Sequence, residues 1–370
     1  MTALKETFML YPFKFKPVYK NYIWGGRSLE RFRNDLPEGI VAESWEVSSH
    51  PDGQSAVING DYSGWTLTDL YRKEGRAIAG NSLSQKDAER FPLLVKLIDA
   101  KNKLSVQVHP DDYYAGLYEN GEYGKSEGWY IIEASPGAEL IYGLTPGTSK
   151  ESFRKALRKG NAENFLQSIS VRAGDVINIP SGTIHAIGSG ILLAEVQQNS
   201  NATYRVYDYN RVGTDGKKRP LHIKKALDVI DFHAEIHRVP SPGLKIEIDG
   251  GSRKISLANH YFALELYEIN GIVKEDSSYE RFYIYTFFSG KGKLDYTDGS
   301  VNLSAGESVL VPGALGAYEI AGELTGMRCY VPDLVNNIIS PLLGAGYCIE
   351  DIRNNIGGLE SLEKEENRFL

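Results

Sequence analysis

Apolar and polar positions alternate with a period of two in run after run of this chain, the pattern of strands with one buried face. Residues 42–48, 55–58, 93–99, 104–109, 171–179 and 192–198 read this way, and nearly everything from 244 to 331 reads as strand and turn. Three stretches carry a helical period instead. Residues 66–90 space Leu70, Ile78 and Leu83 among charged and amide side chains. Residues 150–169 align Phe153, Leu157, Phe165 and Leu166, and residues 223–230 place Ala226, Leu227 and Ile230 on one side. Gly160-Asn161 is expected to split the second stretch into two short helices.

One segment occurs twice. Ala173-Gly174-Asp175-Val176-Ile177-Asn178-Ile179-Pro180 returns as Ala305-Gly306-Glu307-Ser308-Val309-Leu310-Val311-Pro312. In each copy glycine supplies a turn dihedral, an apolar run supplies a half-buried strand, and proline ends the ladder. The repeat predicts a duplicated β-barrel module. The copies differ just beyond the strand: the first continues Ser181-Gly182-Thr183-Ile184-His185, while the second has Ala317 where His185 would stand. Any chemistry is therefore expected in the first module.

The densest polar cluster is Gln107-Val108-His109-Pro110-Asp111-Asp112. Gln107 and His109 are two apart on a predicted strand and leave the same face, while Val106 and Val108 face the other way. Pro110 halts the ladder and leaves His109 at an open strand end. With Glu127 and His185, the set offers two imidazoles, a carboxylate and an amide oxygen, which suits a borderline ion such as Zn²⁺ with positions left for water or substrate. Asp111 and Asp112 either orient a ligand imidazole or cap a turn. Glu195 lies in an otherwise apolar strand and must be paired or face a polar cavity, and Arg205 has Asp208 nearby as a possible salt-bridge partner.

Composition narrows the function without naming it. Forty-one basic against forty-eight acidic residues leave a formal net charge of −7, which gives no support to nucleic-acid binding. No run approaches the length of a membrane span. Two cysteines, Cys329 and Cys348, make no disulfide framework, so a reducing cytoplasm is the default expectation.

Several motifs in order resemble the type I phosphomannose isomerases: Tyr22-Ile23-Trp24-Gly25-Gly26, Glu43-Ser44-Trp45-Glu46, Phe91-Pro92-Leu93-Leu94-Val95-Lys96, Ser105-Val106-Gln107-Val108-His109-Pro110-Asp111, Lys125-Ser126-Glu127, Ile179 through Ala186, and Glu195-Val196-Gln197. The resemblance covers residues 15–232 closely and the remainder loosely. It implies a mainly β fold of two cupin-type (jelly-roll) barrels with small helical insertions at about 66–90 and 150–169. Only the N-terminal barrel would carry metal. The expected division is 1–240 catalytic, 241–331 second barrel without metal, and 332–370 a C-terminal extension of unassigned role, its last residues from Glu360 onward open to fraying.

The resemblance also implies one Zn²⁺ per chain on Gln107, His109, Glu127 and His185, catalytic roles for Arg205, Lys125 and Glu195, and Lys96, Ser105 and Arg205 toward a phosphate. The implied reaction is interconversion of mannose 6-phosphate and fructose 6-phosphate through an enediol. Glu195 and Lys125 both stand as bases. The expected partner is a small sugar phosphate, with no nucleic acid or membrane, and the chain is a monomer or homodimer. Two other readings remain at this point, a non-catalytic sugar-phosphate-binding cupin and a different metal-dependent cupin enzyme, an oxygenase or epimerase. Gln107 in place of a third imidazole weighs against an oxygenase.

Overall fold

The computed structural model describes residues 9–213, 216–234 and 239–360. Alternation along each strand sets which side chains face inward, and the result is three antiparallel sheets. A six-stranded sheet runs in the order Val176–Ile179, Glu127–Ala134, Ile191–Gln198, Leu93–Ala100, Glu43–Val47, Val18–Lys20. A five-stranded sheet runs Tyr204–Tyr207, Val106–Val108, His185–Ile187, Glu139–Leu144, Leu166–Ser170. The third, ten-stranded sheet is built mostly from residues beyond Leu244 and includes two fourteen-residue strands, Tyr283–Tyr296 and Ala317–Tyr330.

The expected pair of closed barrels does not form. Each sheet is an open path whose end strands do not meet, and with its helices the fold is mixed α/β. Period-two alternation fixes faces but not closure, because closure also needs strand tilt and stagger to bring the last strand back to the first. Here Phe13–Lys16 lies in the ten-stranded sheet, with Phe13 opposite Leu310 and Phe15 opposite Val57. Both copies of the repeated segment do form a glycine turn and a four-residue buried strand, with Gly174 at φ 92° and Gly306 at φ 83°.

The six-stranded sheet has two different faces. Leu93, Val95, Leu97, Leu192, Ala194 and Val196 pack toward the ten-stranded sheet. Gly128 makes that approach possible, since a Cβ there would lie 2.9 Å from the Phe262 ring. The opposite face looks toward the five-stranded sheet, and one end of that interlayer is apolar, with Ile98, Ile131, Leu140, Ile177 and Leu193. Its other end is polar and forms the candidate site.

Helices cover the outside. Residues 66–90 form Leu67–Ala79 and Gln85–Glu89, with Thr66 and Ser84 as side-chain N-caps. The second helical stretch stops earlier than expected. Lys150–Lys159 ends on left-handed Gly160, a short 3₁₀ turn follows at Ala162–Phe165, and Leu166–Ser170 is a strand. Helix Ile223–Val229 packs with Val106, Val108 and Tyr204 behind the five-stranded sheet. In the extension, Ile338, Leu342, Ile352, Ile356 and Leu359 join the core of the ten-stranded sheet, whereas 361–370 lie outside the described residues. Among the described residues no helix is long and apolar enough to cross a membrane.

Candidate metal centre and adjoining cavity

Register builds the site before any side-chain contact is considered. In the five-stranded sheet Gln107 lies opposite His185 on one side and Arg205 on the other, so the three stand side by side on one face. In the six-stranded sheet Lys96 lies opposite both Trp45 and Glu195, and Glu195 lies opposite Trp129. Glu127 is two residues from Trp129 and shares its face. The two rows meet where the Trp129 ring sets its edge against His185, 5.4 Å between centroids.

His109, Glu127 and His185 converge, each offering a ligand atom within 4.8 Å of the others, and all three are buried. His109 Nδ1 is 2.9 Å from the Ala202 carbonyl and His185 Nδ1 is 2.9 Å from that of Thr183. A carbonyl only accepts, so each Nδ1 carries the proton and each Nε2 turns its lone pair inward. Nε2 of His109 is 3.1 Å from Glu127 Oε1, and Nε2 of His185 is 3.6 Å from Glu127 Oε2. Glu127 Oε2 is buried without a hydrogen-bond donor. An unpartnered carboxylate oxygen facing two imidazole lone pairs is a donor set that fits a divalent cation. The Gln107 amide stands 3.4 Å from His185 Nε2 and can add an oxygen.

Electrostatics agree with this arrangement. Burial and the Lys125 ammonium push the His109 imidazole down to about 4, which keeps it neutral, the form that binds metal. Burial alone would raise the Glu127 carboxyl, but the Lys125 ammonium outweighs it and holds it well below the usual carboxylate range. Lys125 is anchored by its backbone N–H on the Pro110 carbonyl, 2.9 Å, which aims its Nζ at Glu127 Oε1 and, at 3.2 Å, His109 Nε2.

Beside the cluster is a cavity of about 270 Å³, bordered among others by Lys96, Ser105, Glu195 and Arg205. Lys96 Nζ is 2.9 Å from Glu195 Oε1 and 4.0 Å from Glu43 Oε2. The indoles of Trp129 and Trp45 donate to the same two carboxylates, 2.9 Å to Glu195 and 2.7 Å to Glu43. Burial pulls the Lys96 ammonium down, but Glu195 and Glu43 outweigh it and raise it above the ordinary lysine value. Arg205 Nε donates to Ser105 Oγ at 3.3 Å, and its Nη1 donates to the Pro220 carbonyl at 2.9 Å.

The structure thus brings all nine residues singled out in the sequence to one cluster and its cavity. Of the two readings open for Asp111 and Asp112, capping holds for Asp111, and one smaller expectation changes, that for Asp208. Asp111 caps the helix Asp112–Tyr118, and Asp112 accepts from Gly124 N and Gln198 Nε2, so backbone carbonyls orient the imidazoles instead. Asp208 pairs with Arg211 and Arg219, not with Arg205. Trp24, Glu43 and Arg219 also border the cavity. Arg219 sits in an irregular loop, where no periodicity marks an inward-facing position. Both cysteines are free thiols, Cys329 buried and Cys348 exposed.

Residues 12–154 match the sequence profile of phosphomannose isomerase type I, catalytic domain, and residues 254–331 that of mannose-6-phosphate isomerase, cupin domain. The chain is 39% identical over 311 residues to mannose-6-phosphate isomerase ManA of Bacillus subtilis (strain 168), covering 84% of this chain and 96% of that one. It is 38% identical to the mannose-6-phosphate isomerase of Streptococcus mutans, covering 82% and 92%. The solved mannose 6-phosphate isomerase from Bacillus subtilis superposes with a TM-score of 0.80 at 37% identity, over 86% of this chain and 99% of that one. A mutant phosphomannose isomerase from Salmonella typhimurium, 15% identical over 86% of this chain and 99% of that one, shares the fold with a TM-score of 0.68.

Proposed function

The chain belongs to the type I phosphomannose isomerases, and on that premise we propose that its ion is Zn²⁺, held by His109, Glu127, His185 and Gln107. With a divalent metal in that centre it interconverts mannose 6-phosphate and fructose 6-phosphate. The observation that carries this reading is the buried His109–Glu127–His185 cluster opening beside a cavity lined by both acids and cations. When bound, Zn²⁺ supplies Lewis-acid stabilisation of the negative charge that develops on the sugar's C1 and C2 oxygens.

The protein's own groups divide the remaining work. Glu195, a carboxylate held between the Trp129 indole and Lys96, takes the proton from C2 of the open-chain aldose, exchanges it with solvent and delivers a proton to C1. Lys125 has its donors aimed into the cluster and passes protons at the substrate oxygens. Arg205 stays charged throughout and adds fixed positive charge beside the developing enediolate. Of the groups assigned to the phosphate side by family resemblance, Ser105 and Arg205 are already joined by a hydrogen bond. Lys96 is committed to Glu195 and Glu43, so its part is to hold Glu195 in place. These residues all fall within 1–240, the portion we assign to catalysis. We take the enzyme to be cytoplasmic, as a monomer or homodimer.

NMR of mannose 6-phosphate incubated with the metal-loaded protein in D₂O tests both halves of this reading. Fructose 6-phosphate carrying deuterium at C1 is expected. Product with no carbon-bound deuterium removes the enediol route, and absence of product removes the isomerase.

A further inference from the structure

The cavity has more cationic groups than the reaction at C1 and C2 requires, and they are not equally free. Lys96 is neutralised by two carboxylates, and Lys125 is turned toward the metal ligands. Arg219 is different. It borders the cavity with its side chain about a quarter exposed, at 24%. Its Nε donates to Asp208 Oδ2 at 2.8 Å and its Nη2 to Asp208 Oδ1 at 2.6 Å, a fork-to-fork pair that fixes the plane of the guanidinium. That pairing leaves Nη1 for another acceptor.

Asp208 is shared. Arg211 Nε also donates to its Oδ1 at 3.1 Å, so one carboxylate faces two guanidiniums. The cavity wall itself carries two guanidiniums, those of Arg205 and Arg219, and the carboxylate that pairs with Arg219 is divided between it and Arg211. A sugar phosphate monoester carries about −1.5 to −2 near neutral pH, an anion that two guanidiniums are suited to hold. Arg205 and Arg219 also act on one another: burial, then the like charge of Arg219, pull the Arg205 guanidinium below its ordinary value. An anion between them relieves that repulsion.

We propose that Arg219, oriented by Asp208, is the residue that selects the phosphorylated sugar, gripping the phosphate together with Arg205 and the Ser105 hydroxyl. The proposal rests on the isomerase reading and adds to it a specificity residue that stands outside the metal centre. Arg219 contacts the phosphate and Asp208 is a positioning residue.

Two measurements on the metal-loaded, full-length protein test this. The first is calorimetric titration with inorganic phosphate, and the second is steady-state kinetics on mannose 6-phosphate and on unphosphorylated mannose. Arg219→Ala is expected to weaken phosphate binding and raise KM for mannose 6-phosphate by about 10- to 100-fold, the value of one or two charge-assisted hydrogen bonds. It should leave kcat/KM for mannose and the bound metal unchanged, and Arg219→Lys should recover part of the loss. Wild-type phosphate binding and KM in Arg219→Ala overturn the proposal, as does an equal loss on mannose and on its phosphate. If wild-type protein lacks isomerase turnover while its phosphate binding still depends on Arg219, the isomerase reading falls and the anion site stands.

Discussion

Gln107 and His185 stand opposite one another across neighbouring antiparallel strands, with the Gln107 amide nitrogen 3.4 Å from His185 Nε2. Half a turn of the amide about its last bond exchanges nitrogen for oxygen at that spot, so the same side chain can present an acceptor to a cation. Gln107→Leu keeps the volume and removes the oxygen. Its metal affinity, measured by competition with a chelator, is expected to fall about 10- to 100-fold. An unchanged affinity would take Gln107 out of the ligand set.

The pair Lys96–Glu195 is buried at both ends, 5% and 3% exposed. Lys96→Met leaves Glu195 without its nearest counter-charge, and breaking such a pair costs about 3–5 kcal/mol. The unfolding temperature and kcat should both drop while metal content stays at the wild-type level. The double variant Lys96→Met/Glu195→Gln should regain most of the stability but not the turnover. A single variant as stable as wild type would contradict the pairing.

Far from the cavity, Glu265 is fully buried between Arg328 Nη2, 2.7 Å away, and the Tyr330 hydroxyl, 2.6 Å away. Burial alone raises its carboxyl, but Arg328 and Arg253 outweigh it and hold it below the ordinary glutamate range. A depressed value means that this group contributes stability above the unfolded-state value of about 4.3 and loses it as pH falls through the lower folded value. Glu265→Gln should therefore lower the unfolding temperature at pH 7 and flatten its decline below about pH 4.3. An acid limb parallel to that of wild type would show that Glu265 does not drive it.

Much of the site was legible because the sequence places its donors on strands, where a period of two fixes the face. Gln107 and His109 were assigned to one face by spacing alone, and Val106 and Val108 do pack on the other. The Ala-Gly-acid repeat announced two glycine turns, and both have positive φ. What remained hidden depends on partners remote in sequence. Nothing in residues 13–16 says that Phe13 will lie opposite Leu310, or that the sheets stop short of closing. Helix Asp112–Tyr118 is short and exposes Tyr113, Leu117 and Tyr118, so it carries no apolar stripe to read. Arg219 reaches the cavity from a loop, through Asp208, by a pairing that no local pattern encodes.

The central claim is that one ion on His109, Glu127 and His185 is required for turnover, and titrating zinc back into metal-stripped protein while following isomerisation of mannose 6-phosphate tests it most directly. The account predicts negligible activity at the start, a linear rise that ends at one ion per chain, and no rise at all in His185→Ala. Full turnover by the stripped protein, or a restored His185→Ala, would contradict it.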